Sequence, residues 1–231
     1  MSLIRALSLG LPTSGLLAFG TFFYTTRHVE AVQLSPSDPI FHSIYHQKYN
    51  PNQNPTIHDL HIRTIPISEI DLVLLQDEES LIQRFTGGVW AGFGFKIQRI
   101  LLTWFYKNET TSYHLWHPSE ILKSKFNPGT TITDELVVLE KSKDSVLIRG
   151  GDKVSIDGLR PLDALMELSV RANPEEQSIQ FGFKSLFFQG LDKTNKLPMP
   201  ALVVWLHELY AKALLESGVR HVLRGSDSSK K

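Results

Sequence analysis

A chain of 231 residues with 42% hydrophobic and 21% charged side chains can bury one sizeable core. Its 24 basic and 24 acidic residues cancel, so there is no cationic excess to track a nucleic-acid backbone and no nucleic-acid partner is expected. There is no cysteine, which excludes disulfides, zinc–thiolate and iron–sulfur centres and thiol nucleophiles, and fits a reducing compartment.

The chain opens on an apolar stretch. Between Arg5 and Arg27 no charged residue occurs, and residues 6–24, ALSLGLPTSGLLAFGTFFY, have about the length of a bilayer span. Three readings fit: a membrane anchor or membrane-surface helix, a cleaved signal peptide, and a helix packed on the domain. The anchor, with the domain facing the cytosol, comes first, because "LAFG" makes a poor cleavage site. Residues 28–55 are polar and proline-rich, which reads as a linker with a short helix near residues 41–49. The expected plan is an apolar segment over 1–27, a linker over 28–55, a ligand-binding domain over 56–224 and a disordered tail over 225–231.

"IHDLHIRTIP" alternates Ile57, Asp59 and His61 with His58, Leu60 and Ile62, a strand ended by Pro66. "SEIDLVLLQDEESLIQRFTGG" reads as one helix capped by Ser68 and closed at Gly87-Gly88. "GFGFKIQRILLTWFYK" puts Phe95, Arg99, Leu102 and Tyr106 at helical spacing, with Ile100 and Trp104 alongside. Then strands dominate: "TITDELVVLEK" and "SVLIRGGD" flank the turn "KSKD", and "DALMELSVRA" and "QSIQFGFKSLFFQ" flank "NPEE". The chain ends in "ALVVWLHELYAKALLESGVRHVL", a helix of about six turns with Pro200 at its start. This order predicts an α+β fold, an antiparallel sheet wrapped around a long C-terminal helix, with a ligand cavity between them.

No strong catalytic motif is present. "GGVWAGFG" lacks the preceding strand a phosphate loop needs, and reads as close helix packing or a lid. His114 and His117 fall in a turn, and His58 and His61 point to opposite faces of a strand, so neither pair makes a metal site. No metal and no cofactor are expected. His207, on the C-terminal helix, projects toward the cavity if that face meets the sheet. There it would orient or protonate a substrate carbonyl, or else be a core histidine bonded to backbone. In "SIQFGFKSLFFQG" the odd positions Ile179, Phe181, Phe183 and Phe187 form one face, and Lys184, Leu186 and Phe188 share the other. If the odd face is inward, Lys184 pairs with Glu167 on the outer face; if the even face is inward, a buried Lys184 serves a substrate carboxylate or carbonyl. Both faces carry phenylalanine, so both registers stay open. The candidate catalytic residues are therefore His207, Lys184 and Glu167. Phe181, Phe183, Phe187, Trp104, Trp116, Tyr210 and Arg149 are candidates for binding an apolar substrate, or for filling an ordinary core.

"FTGGVWAGFGFKIQRILL", "GTTITDELVVLEKSKDSVLIRGGD", "LMELSVRA" and "PALVVWLHELYAKALLESGV", together covering roughly residues 57–223, resemble the START-like, or polyketide-cyclase-like, superfamily of helix-grip ligand-binding proteins. More narrowly, they are similar to a family related to domains that follow nucleotide-sugar-epimerase-like modules, and to single-domain proteins of fungal natural-product clusters. The resemblance implies a cofactor-free cyclase or isomerase, including Diels–Alderases, acting on an apolar terpenoid or polyketide intermediate. The superfamily also holds carriers, so a membrane-associated lipid or sterol carrier is the alternative, and a structural partner in a membrane complex the third reading.

Overall fold

The computed structural model describes residues 20–227, so most of the apolar stretch 6–24 and the tail beyond 227 lie outside the described residues. Among the described residues no helix is long and apolar enough to cross a membrane.

Seven strands form one antiparallel sheet: β1 Glu30–Val32, β2 Ile57–Pro66, β3 Thr131–Ile132, β4 Leu136–Lys141, β5 Ser145–Gly150, β6 Asp163–Asn173 and β7 Ser178–Phe188. They lie in the order β1-β2-β7-β6-β5-β4-β3. The two expected hairpins form at "KSKD" and "NPEE", and Gln177 takes the left-handed φ of 49° that turns the second one. β2 pairs along its whole length with β7, from Ile57 opposite Phe187 to Pro66 opposite Ser178. From residue 30 onward the described α-helices are α1 Pro39–His42, α2 Ile44–Tyr49, α3 Leu72–Gln76, α4 Glu78–Ala91, α5 Lys96–Tyr106, α6 Pro118–Lys123 and α7 Ala201–Asp227. An α+β fold with a long C-terminal helix against an antiparallel sheet is thus the architecture, compatible with a helix grip.

One face of the sheet, here the inner face, meets α4 and α7. Phe181, Phe183, Leu168 and Ile148 pack there with Phe85, Trp90, Leu214 and Val219 in the main core. α4 and α7 approach closely through glycine: a Cβ on Gly218 would lie 2.6 Å from Phe85 and Val89. Ser217 Oγ donates to the Gly88 carbonyl at 2.9 Å across the same crossing. Gly88, Gly92 and Gly94 of "GGVWAGFG" likewise serve close packing, since a Cβ on any of them would crowd α7. α4 does not stop at Gly87-Gly88, because tertiary packing outweighs their low helix propensity. Nor is the run from Ser68 one helix. Asp71 caps α3 and Asp77 caps α4, each accepting a backbone N–H two residues on, and these caps cut it into two.

The expected linker is a structural layer. β1 pairs with β2 at Leu60–Ile62, and Leu34, Ile40 and Tyr49 bury themselves on the outer face of the sheet against Leu165, Leu186 and Phe188. Polar contacts fasten the layer down. Asn54 Nδ2 donates to the carbonyls of Gln189 and Asp192 at 2.8 and 2.9 Å, and Tyr45 Oη to that of Leu139 at 3.2 Å. Both faces of β7 are consequently buried, which is why both carry phenylalanine.

α5 buries Phe95, Arg99 and Leu102 at the expected helical spacing, but Tyr106 at the end of that face is exposed, and Ile100 and Trp104, with Ile97, Leu101 and Phe105, face solvent.

Candidate functional site

The inner column of β2 is polar. Asp59, His61 and Arg63 point toward α7, opposite Ser185, Phe183 and Phe181 of β7. α7 supplies their partners: Glu216 pairs with Arg63, and His207 pairs with Asp59. His207 therefore does project onto the sheet. Its Nε2 lies 2.9 Å from Asp59 Oδ2 and 2.9 Å from Ser185 Oγ, and the Phe187 ring packs edge-on against the imidazole at 4.6 Å. Ser185 Oγ donates to the same Asp59 oxygen at 2.6 Å, and His61 Nδ1 to the other at 3.1 Å. Burial opposes ionisation of Asp59. The hydrogen bonds from His207, His61 and Ser185 outweigh it and hold the carboxyl well below the usual carboxylate range.

This geometry sets the proton positions. An ionised Asp59 only accepts, so Nε2 of His207 carries a proton toward it and leaves Nδ1 as the basic nitrogen. Ser185 is not an activated nucleophile. A nucleophilic relay places the carboxylate and the serine on different imidazole nitrogens, and here both sit at Nε2. The arrangement can hold an imidazole in one tautomer and exchange a proton at its other nitrogen. His61, 1% exposed, donates through Nδ1 and so presents a lone pair at Nε2, which has no hydrogen-bond partner among the described residues.

Tyr210, one turn after His207, begins a second polar chain. Its hydroxyl donates to Gln98 Oε1 at 2.6 Å, and Gln98 Nε2 donates to Glu135 Oε2 at 2.7 Å. Burial pushes the pKa of both ends, the Tyr210 phenol and the Glu135 carboxyl, up from their ordinary values, so both favour their neutral forms more than usual. Tyr210 thus ties α7 to α5.

The other candidates scatter over the molecule. Lys184 lies on the outer face directly opposite Glu167, with Nζ 2.9 Å from Glu167 Oε1 and 2.9 Å from Asp38 Oδ1. The cross-strand pairing expected of an inward odd face is present, but the N-terminal layer roofs it and Lys184 is only 5% exposed. Arg149 does not face the inner core. It grips Asp163 at 2.6 and 2.9 Å, donates to the carbonyls of Asp157 and Gly158, and stacks 3.5 Å from the centroid of Tyr49. That role fastens a loop and the N-terminal layer. Phe181 and Phe183 are fully buried against Phe85 and Trp90, with ring centroids 5.0 and 6.3 Å apart, as close-packed core. Trp104 is 77% exposed rather than part of an inner wall. It does share a surface hollow of about 270 Å³ with Trp116, Arg99, Ile100 and Pro118.

A larger pocket, of about 560 Å³, opens at the end of the sheet remote from His207. Its walls are Ile67, Leu74 and Leu75, Leu81 at the start of α4, and Val170 and Ile179 of the inner sheet face; Lys143, Asp144 and Arg171 stand among its lining residues. α3 forms one side of it because its two caps hold a short, separate helix over the core edge.

Asp59 and Ser185 were not legible as site residues. The one signal was parity: Asp59 shares its strand face with Ile57, and Ser185 shares one with Phe183 and Phe187. No known protein family, curated protein or solved structure matches the chain.

Proposed function

We propose that this protein binds an apolar small molecule or lipid in the pocket beside α3, in the manner of a START-like ligand-binding protein. The supporting observation is an aliphatic hollow continuous with the main core, of about 560 Å³, within the range that holds a drug-sized ligand. The test is titration with the apolar fluorophore 1-anilinonaphthalene-8-sulfonate, comparing the wild type with Ala172→Trp. Ala172 lines the pocket and is exposed, so the indole fills the mouth without removing a core contact. The variant should lose at least tenfold in probe affinity at an unchanged melting temperature. Equal affinity for both proteins would sink the reading.

A second reading is a cofactor-free isomerase or cyclase, carried by His207 and its hydrogen bond with Asp59. A carrier has no use for an imidazole held in one tautomer beneath a half-exposed helix, whereas a proton-transfer catalyst does. Incubation with extracts of the native organism should then yield a product at the expense of a compound of identical mass. His207→Ala should abolish that conversion and leave probe binding beside α3 intact. Conversion that survives in His207→Ala would return the cluster to a structural role.

A further inference from the structure

We infer that α5 and the first turns of α7 form a docking face for an anionic lipid surface. This does not depend on which ligand the pocket takes. The observation is a second apolar face on α5, opposite the one buried at Phe95 and Leu102. Ile97, Ile100, Leu101, Trp104 and Phe105 follow the i, i+3, i+4, i+7, i+8 spacing of a core-facing stripe, yet all five face solvent. On α7, Leu202, Trp205 and Leu206 repeat the spacing and are likewise exposed. The two helices meet where Tyr210 donates to Gln98. Scattered exposed apolar residues are ordinary on a soluble protein, but two ordered stripes on touching helices are not.

Charge and residue type name the occupant. The chain as a whole is neutral, yet no acidic residue occurs between Glu79 and Glu109, where Lys96 and Lys107 bracket α5, nor between Asp192 and Glu208, where Lys193 and Lys196 precede α7. Each exposed stripe therefore lies in an acid-free segment, and lysines close both ends of α5. Exposed tryptophan on both helices, with Lys107 one turn after Trp104 and Lys196 in the loop before α7, suits the headgroup boundary of a bilayer, where an indole is half solvated and an ammonium meets anionic lipid. A second copy of the chain would bring these lysines against their own kind, which disfavours self-association through the same face.

The test uses the full chain and vesicles of phosphatidylcholine, with or without phosphatidylserine. Trp90 and Trp116 are buried, so Trp104 and Trp205 dominate any change in emission on binding. The wild type should float with phosphatidylserine vesicles, shift its tryptophan emission to the blue, and bind less at high salt. Trp104→Glu with Trp205→Glu should lower the bound fraction at least tenfold at an unchanged melting temperature. Phe105→Ser with Leu202→Ser, at sites 73% and 67% exposed, provides an independent check that keeps both indoles. If both double variants bind like the wild type, vesicle binding belongs to the N-terminal apolar stretch and the inference is wrong. If the wild type ignores vesicles and sediments as a dimer that the variants split, the occupant is a second copy and the inference is equally overturned.

Discussion

Removing residues 1–55 should unfold the protein, although their composition suggests a dispensable lead. The deletion strips Leu34, Ile40 and Tyr49 from the outer face and leaves Leu165, Leu186 and Phe188, all fully buried in the intact chain, open to water. Each such side chain is worth about 1.5–3 kcal/mol when buried. Re-exposing three of them therefore costs about 4.5–9 kcal/mol by the same rule, an upper range because unfolded chains already hide some apolar surface. A domain of this kind has only about 5–15 kcal/mol of total stability. The same cut removes β1 from the edge of β2 and Asp38 from Lys184. The assay is urea unfolding followed by tryptophan fluorescence, on the full chain and on one beginning at Thr56. The short chain should aggregate or show no cooperative transition. Phe188→Ala in the full chain is the milder probe and should cost ~3–5 kcal/mol. A short chain that stays monomeric, with a midpoint matching the full-length protein, would refute the reasoning.

Lys184→Met should destabilise by about 1.5–3 kcal/mol in the same assay, because it leaves Asp38 and Glu167 together under the N-terminal layer without their cation. Replacing Glu167 by leucine in that background should restore part of the loss, and a neutral Lys184→Met would mean that the three groups are solvated. Acid should destabilise through Asp59. Its carboxyl is held below its unfolded value of about 3.9, so its contribution is complete above about pH 5 and is lost as pH falls through the lower folded value. Asp59→Asn should lower the melting temperature at pH 7 and flatten its fall below about pH 4. Parallel acid limbs for the two proteins would assign that fall to other carboxylates.

The order of elements was legible because hairpin turns and helical spacing are local. Layering was not. In β7 period-two alternation separates Phe181 and Phe183 from Lys184 and Leu186, but both sets are apolar enough to be covered, and both are. The Lys184–Glu167 pairing could be read as a cross-strand neighbour; the roof that buries it comes from residues whose composition looks like linker. Asp59, His61 and Arg63 misled in the opposite sense. Polar alternation normally marks a solvent face, yet here it points inward because α7 brings His207 and Glu216 to meet it. α5 is apolar on two faces: Phe95 and Leu102 turn inward as their spacing predicts, with Arg99 buried at 2.9 Å from the Trp90 carbonyl, and the second stripe points outward.

The pairing of β2 with β7 also governs how the chain can be made. β2 leaves the ribosome early, and its neighbour in the centre of the sheet arrives only after the whole intervening chain has been synthesised. Until then neither the outer layer nor the polar column of β2 has the surface it rests on, since Leu165, Leu186 and Phe188 belong to late strands and His207 and Glu216 to the last helix. β4 to β7 can assemble as a meander while elongation continues, but the N-terminal part must wait, with Leu34, Ile40 and Tyr49 uncovered, for a late closure over a long loop. A nascent chain in that state is a natural client for chaperones, and slowing translation should prolong its exposure rather than help it fold.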